Sequence, residues 1–124
     1  MVKKRGKQVL CNNWKTGKGS PSSPCTYFSI PARLPHGLNG ITLSRNVVFK
    51  GNVTIYQHVT IAEENKNKKT YIGNNVEIGI GAVILNNSNI GDNVKIGANS
   101  VVTHNIPDNY HIAGVPARII KKII

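Results

Sequence analysis

Acidic residues are scarce in this chain: five Asp and Glu stand against sixteen Lys and Arg, a formal net charge of +11 over 124 residues. Such a balance favours an anionic partner, whether nucleic acid, acidic glycan, membrane surface or phosphorylated cofactor, without choosing among them. Cysteines number two, Cys11 and Cys25. They lie too far apart for a CxxC pair and are too few for a disulfide framework. A zinc site built on them lacks evident third and fourth ligands, so reduced thiols are expected. Aromatics are limited to four Tyr, two Phe and Trp14. With no RNP-like strand, zinc-finger spacing or helix-turn-helix pattern, no specific nucleic-acid partner is expected. Long apolar runs are missing too: none approaches the roughly 18 residues of a membrane span. The start "MVKKRGKQVLCNNWK" has the positive charge of a signal peptide, but only "QVLC" stands where an apolar region of about 7–15 residues belongs. The expectation is a cytoplasmic protein without a transmembrane segment. A chain of this length holds one domain and buries about two-thirds of its unfolded surface.

What the chain does have is a period. Leu43, Phe49, Ile55 and Ile61 are spaced by six, and Ile72, Ile78, Ile84, Ile90, Ile96 and Val102 resume that spacing after an eleven-residue gap. Four positions after most of them comes a second small or apolar residue: Val47, Val53, Val59, Val76, Ala82, Ser88, Val94, Ser100 and Ile106. Six residues turn an α-helix through about 600°, which scatters the aliphatics around its circumference. Plain strand alternation fails as well, because Asn74-Asn75, Asn86-Asn87 and Asp92-Asn93 interrupt it. The period fits a short strand followed by a corner. Asn and Asp tolerate the left-handed backbone of tight corners, and Gly73, Gly79, Gly91 and Gly97 omit side chains where backbones crowd.

Hexads belong to the β-helix class of solenoid, in which each coil buries its apolar face against the coils above and below. Three sides of six make an eighteen-residue coil, so Ile72 stacks on Ile90 and Ile78 on Ile96. Handedness does not follow from the period. The expected organisation is a basic N-terminal arm over residues 1–28, carrying the breaker run "TGKGSPSSP", a β-helix over 29–107 with an extended loop at 62–70, and a C-terminal tail over 108–124.

"IGNNVEIGIGAVILNNSNIGDNVKIGANSVV" followed by "IPDNYHIAGVPARII" resembles the end of the left-handed β-helix, hexapeptide-repeat acyltransferases. Upstream, "LPHGLNGITL" and "VTIYQHVTI" are similar to the serine O-acetyltransferase branch and its shorter relatives in surface-polysaccharide clusters. The resemblance covers about residues 29–120. It implies an all-β, left-handed parallel β-helix of about four coils, a homotrimer, and acetyl-CoA as cosubstrate of an O-acetyltransferase.

The same resemblance implies site residues. His36, in "RLPHGLNGI", aligns with the family's general base, and a neutral imidazole suits the removal of a hydroxyl proton near physiological pH. By spacing alone His36 reads as an exposed loop histidine; the flanking motif turns the reading. Serine acetyltransferases place an aspartate shortly before this histidine, whereas "SIPARLP" here holds no carboxylate, and Ser29, a backbone carbonyl or a neighbouring subunit all stay open as orienter. Tyr56, Gln57 and His58 are candidate acceptor contacts, although His58 also reads as a solvated corner residue. The loop "AEENKNKKT" lacks the second histidine that serine acetyltransferases use for substrate, and 28 basic, breaker-rich residues do not make those enzymes' helical N-terminal domain. The expected acceptor is therefore a sugar hydroxyl of a surface polysaccharide or its precursor, with free serine as the alternative. Lys66, Lys68 and Lys69 read as loop solvation.

For the cofactor, small residues Gly79, Ala82, Gly97, Ala98, Ser100, Gly114, Pro116 and Ala117 let a pantetheine arm lie along the coil edges. Arg118, Lys121 and Lys122 supply cations for its phosphates. The same tail also reads as a cap on the last coil. Zinc sites of γ-type carbonic anhydrases use this solenoid with two histidines about five residues apart, but His104 and His111 are seven apart, and no metal is expected. A non-catalytic solenoid that binds an anionic partner is the remaining reading of another class.

Overall fold

The computed structural model describes residues 8–11, 25–28, 32–44, 47–62, 67–85 and 88–123. Its strands are β1 (Gln8–Cys11), β2 (Cys25–Phe28), β3 (Thr42–Leu43), β4 (Val47–Phe49), β5 (Val53–Ile55), β6 (Thr60–Ala62), β7 (Thr70–Ile72), β8 (Val76–Ile78), β9 (Val83–Leu85), β10 (Lys95–Ile96), β11 (Val101–Val102), β12 (Tyr110–Ala113) and β13 (Arg118–Lys122). Few exceed three residues, because a corner follows each side. They stack into three sheets, ordered β1-β2-β4-β7, β13-β12-β10-β8-β5 and β11-β9-β6-β3. These are the first, second and third sides of a parallel β-helix. Single bridges carry the first side on through Ile72, Ile90 and Ile106, and add Arg33 beside Thr54 on the second.

The register verifies the hexad frame. Ile72 pairs with Ile90 and Ile78 with Ile96, the stacking that an eighteen-residue coil requires. Phe49, Ile55, Ile61, Ile72, Ile78 and Ile84 are each at most 1% exposed, and burying a side chain of this size contributes about 1.5–3 kcal/mol. At Gly79 an added Cβ would lie 2.7 Å from the Ile96 carbonyl oxygen of the next coil, so the close approach there excludes a side chain.

The coils are not uniform. Phe49 pairs with Ile72, 23 positions on, because the loop over 62–70 carries extra residues. Ile90 pairs with Ile106, 16 positions on, since the last coil is shorter. Ile106 thus joins the Phe49–Ile72–Ile90 stack and does not continue the series of Ser88, as the spacing had suggested. Arg33 pairs with Thr54, 21 positions on, but Leu43 with Ile61, 18 positions on. The first coil therefore makes a three-residue excursion between Arg33 and Leu43, and "LPHGLNG" lies within it.

Antiparallel strands close both ends: β1 against β2, and β13 against β12. The tail is thus a cap, covering the backbone edge of β12. β1 and β2 fall in the segment read from sequence as an arm. β2 pairs in parallel with β4, so it already forms a coil side, and the β1–β2 register sets Cys11 opposite Cys25. Ser29 and Lys66 lie outside the described residues.

Candidate active site

The corner between the second and third sides recurs in every coil, and at each level one residue takes the left-handed backbone: Gly40, His58, Gly81, Asn99 and Gly114. His58, at φ 62°, is the one side chain in that column beyond Gly and Asn. Histidine is among the few non-glycine types enriched in this conformation. The column begins at the excursion that carries His36 and ends at the "AGVPA" turn.

Loop 34–40 is held by short-range hydrogen bonds. The Gly37 N–H donates to the Leu34 carbonyl at 3.0 Å, and the Asn39 side-chain Nδ2 donates to the His36 carbonyl at 3.2 Å. From the coil above, the His58 N–H donates to the Asn39 carbonyl at 2.8 Å. The His58 ring lies against Gly40, where an added Cβ would overlap Nδ1. Gly40 also has φ 68°, so backbone and packing both demand glycine there. The His36 side chain is exposed, and its ring sits 5.9 Å from that of Tyr56, tilted by 41°. Gln57 follows, its backbone oxygen accepting from Gly81 N–H at 3.1 Å while its buried Oε1 has no hydrogen-bond partner among the described residues. His36, Tyr56, Gln57 and His58 thus meet at one corner of two adjacent coils.

Among the described residues the carboxylates are Glu77, Asp92 and Asp108. Asp92 Oδ1 accepts from the Asn74 N–H and Asp108 Oδ1 from the Asp92 N–H, at the corner between the first and second sides. Glu77 sits mid-strand in β8, opposite Thr54 and Lys95. None of the three belongs to the His36 corner.

Above His58 the corner combines small groups with two exposed aliphatics, Ile80 and Val115. Gly79 and Gly97 are half-buried, and Ala98, Gly114 and Pro116 are exposed. Ala82, Ser100 and Ala117 are fully buried. Their side chains shape the corner from inside: Ser100 Oγ accepts from the Gly114 N–H at 3.2 Å, which ties the last turn to the coil below. Five levels of parallel coil, each step about 4.8 Å, give the column a length of about 19 Å. Arg118 pairs with Ala113, next to Gly114, whereas Lys122 pairs with Tyr110 at the other end of β13. Four residues of strand separate the two cations by about 13 Å, so Arg118 stands at the corner, and Lys121 and Lys122 lead away from it. His104 sits at another corner and His111 on the second side; among the described residues no three His, Cys, Asp or Glu side chains gather as metal ligands. Asn39 and Gly40 were not foreseen as site residues, although "LNG" is a recognisable turn signal.

The profile of the family described as "Bacterial transferase hexapeptide (six repeats)" matches residues 69–104. A serine acetyltransferase of Buchnera aphidicola subsp. Schizaphis graminum is 43% identical over 88 residues, which cover 68% of this chain and 34% of that protein. The crystal structure of a serine acetyltransferase in complex with coenzyme A from Brucella abortus matches at TM-score 0.69 and 38% identity, over 75% of this chain and 38% of that one. A maltose O-acetyltransferase from Clostridium difficile matches at TM-score 0.59 and 29% identity, over 76% and 67%. The chain spans between a third and a half of the length of the serine acetyltransferases it matches, from 34% to 47%. The likeness makes this solenoid a left-handed β-helix.

Proposed function

The coils of this chain belong to the hexapeptide-repeat transferase family, and from that premise we propose that the protein is an acetyl-CoA-dependent O-acetyltransferase with His36 as general base. One observation carries the reading. His36 stands at one end of the small-residue corner and Arg118 at the other, a span of about 19 Å that suits an extended pantetheine with its thioester at His36 and its phosphates at Arg118. The family likeness includes a neighbour solved with coenzyme A.

The chemistry is direct transfer. The acceptor hydroxyl gives its proton to the His36 imidazole, and the oxygen forms a bond to the thioester carbonyl carbon. Backbone N–H groups of the corner stabilise the tetrahedral oxyanion. The carbon–sulfur bond then breaks, and the leaving thiolate takes the proton from the imidazolium, which leaves the acetyl ester and coenzyme A. Holding both substrates along one corner supplies the orientation on which such a step depends.

We read serine as the leading acceptor, since the relatives are serine acetyltransferases, and this displaces the sugar hydroxyl favoured from the sequence. The sugar reading keeps two supports: loop 62–70 holds no histidine, and a maltose O-acetyltransferase shares the fold. We also propose a homotrimer with sites at subunit boundaries. The outward residues of β6, β9 and β11 on the third side, Thr60, Ala62, Val83, Leu85 and Val101, carry no charge and are only half-exposed. The second side, by contrast, presents Glu77, Lys95 and Lys121.

The test is release of coenzyme A from acetyl-CoA in the presence of serine, maltose and a panel of nucleotide sugars, with wild type and His36→Ala side by side. Turnover with one acceptor that His36→Ala loses supports the reading. Turnover retained by His36→Ala, or acetyl-CoA failing to bind the wild type in a titration, overturns it.

A further inference from the structure

An imidazole that acts as a base passes through an imidazolium, and that cation has to be stabilised and its ring held in direction for the proton to transfer well. Among the described residues no carboxylate stands at the His36 corner. What stands there is an aromatic ring. The Tyr56 centroid is 5.9 Å from that of His36, inside the reach of about 6 Å over which an aromatic face attracts a cation and within the range of ordinary aromatic pairs. The scaffold fixes this approach from both sides. Tyr56 donates its N–H to the Ile78 carbonyl at 3.1 Å at the end of β5. Loop 34–40 is clamped to the same corner through His58 and Asn39.

Resting on the reading of His36 as the base, we propose that Tyr56 is its positioning residue: the phenol ring sets the direction of the imidazole and its π face stabilises the imidazolium formed on proton abstraction. Tyr56 then acts through His36 and leaves the acceptor to other groups. The part of Tyr56 that matters is the ring. The hydroxyl is dispensable, which separates this role from a hydrogen bond to substrate.

The experiment compares Tyr56→Phe, Tyr56→Leu and Tyr56→Gln in the whole protein. In steady-state kinetics Tyr56→Leu is expected to lower kcat about two- to thirtyfold, the equivalent of a cation held by an aromatic face, with KM for acceptor and acetyl-CoA unchanged. Tyr56→Gln is expected to do the same, and Tyr56→Phe to restore the wild-type rate. Independently, the His36 ring-proton resonances in histidine-labelled protein should lose their ring-current displacement in Tyr56→Leu and keep it in Tyr56→Phe. A rise in acceptor KM in Tyr56→Phe would make Tyr56 an acceptor contact and overturn the proposal. So would unchanged His36 resonances in Tyr56→Leu. An inactive His36→Ala beside a fully active Tyr56→Leu removes this proposal alone, whereas an active His36→Ala removes the base and Tyr56's role together.

Discussion

The contact between His58 and Gly40 makes the His36 loop testable by a double-mutant cycle. Gly40 has φ 68°, so an alanine there costs about 1–2 kcal/mol in the left-handed region before any packing is considered. Its methyl group would also occupy the place of His58 Nδ1, and overpacking of that kind adds about 1–3 kcal/mol. The sum for Gly40→Ala is about 2–5 kcal/mol. Removing the ring in Gly40→Ala/His58→Ala relieves the overlap but not the dihedral, so the double variant should recover about 1–3 kcal/mol beyond additivity. Urea unfolding followed by circular dichroism gives the four stabilities. Catalysis supplies a second readout: to the extent that the loop gives way and not the His58 ring, His36 shifts with it, and a displacement of about 1 Å costs on the order of 10² in rate. Additive stabilities in the cycle would show that His58 does not sit on Gly40, and the loop geometry would have to be abandoned.

Other outcomes follow from the same coordinates. His36→Ala should lower kcat about 10²–10⁴-fold while acetyl-CoA affinity, measured by titration, stays near wild type. Ile90, 3% exposed between Ile72 and Ile106, should tolerate Val at a cost of about 0.5–1.5 kcal/mol. Asp at the same place buries an unpaired charge and should unfold the stack in a thermal melt. Arg118→Ala should raise KM for acetyl-CoA more than for dephospho-acetyl-CoA, and Lys122→Ala, about 13 Å farther along β13, should raise it less; equal effects would point to general electrostatics. Val83→Glu with Leu85→Glu on the third side should turn a trimer into monomers in sedimentation, and an unchanged assembly would place the interface elsewhere.

The coil frame could be read from sequence because it is repetitive. Each aliphatic in the Phe49–Ile72–Ile90 stack needs the same neighbour one coil away, so the hexad spacing is a direct print of the packing. Departures from the repeat were harder to see. Ile106 was placed one series away, since nothing local reveals that the last coil closes in 16 residues. Thr70 fills a buried position that the spacing left unnamed, whereas Ser88 is buried as its place in the series implies; its inward hydroxyl needs a partner, and Ser88 Oγ can reach the Val102 carbonyl at 3.5 Å. Tyr56, Gln57 and His58 were named with His36 as site residues, but the direct approach of the Tyr56 ring to His36 was hidden for the same reason. Tyr56 is twenty positions away, and only the three-residue excursion of the first coil brings the two rings together. His58 carried a usable signal: Gly40 lies 18 positions before it and Gly81 23 after, the coil lengths of those levels, so it stands where the corner demands a left-handed backbone.

Why the chemistry should gather at one corner of three follows from what the others have already used. Between the first and second sides, the Asn52, Asn74 and Asp92 N–H groups are satisfied by Oδ1 atoms of Asn74, Asp92 and Asp108 in the next coil. There Asn75, Asn93 and Asn109 form a second ladder of side-chain amides. That corner is closed by its own side chains. The corner between the third and first sides carries the long loop, and on the first side next to it the Tyr71 and Asn89 N–H groups are taken in the same way by Asn89 and Asn105. At the corner of His36 three of the five left-handed positions are Gly, and Gly79, Ala82, Gly97, Ala98 and Ala113 lie beside them together with the exposed Ile80 and Val115. Among the described residues no carboxamide ladder forms there, and the backbone lies close to the surface. A flat ligand arm can approach such an edge, and a base at its lower end can reach whatever the arm delivers. The uneven chemistry of the three corners, laid over an even hexad, gives the proposed site its direction, from Arg118 down to His36.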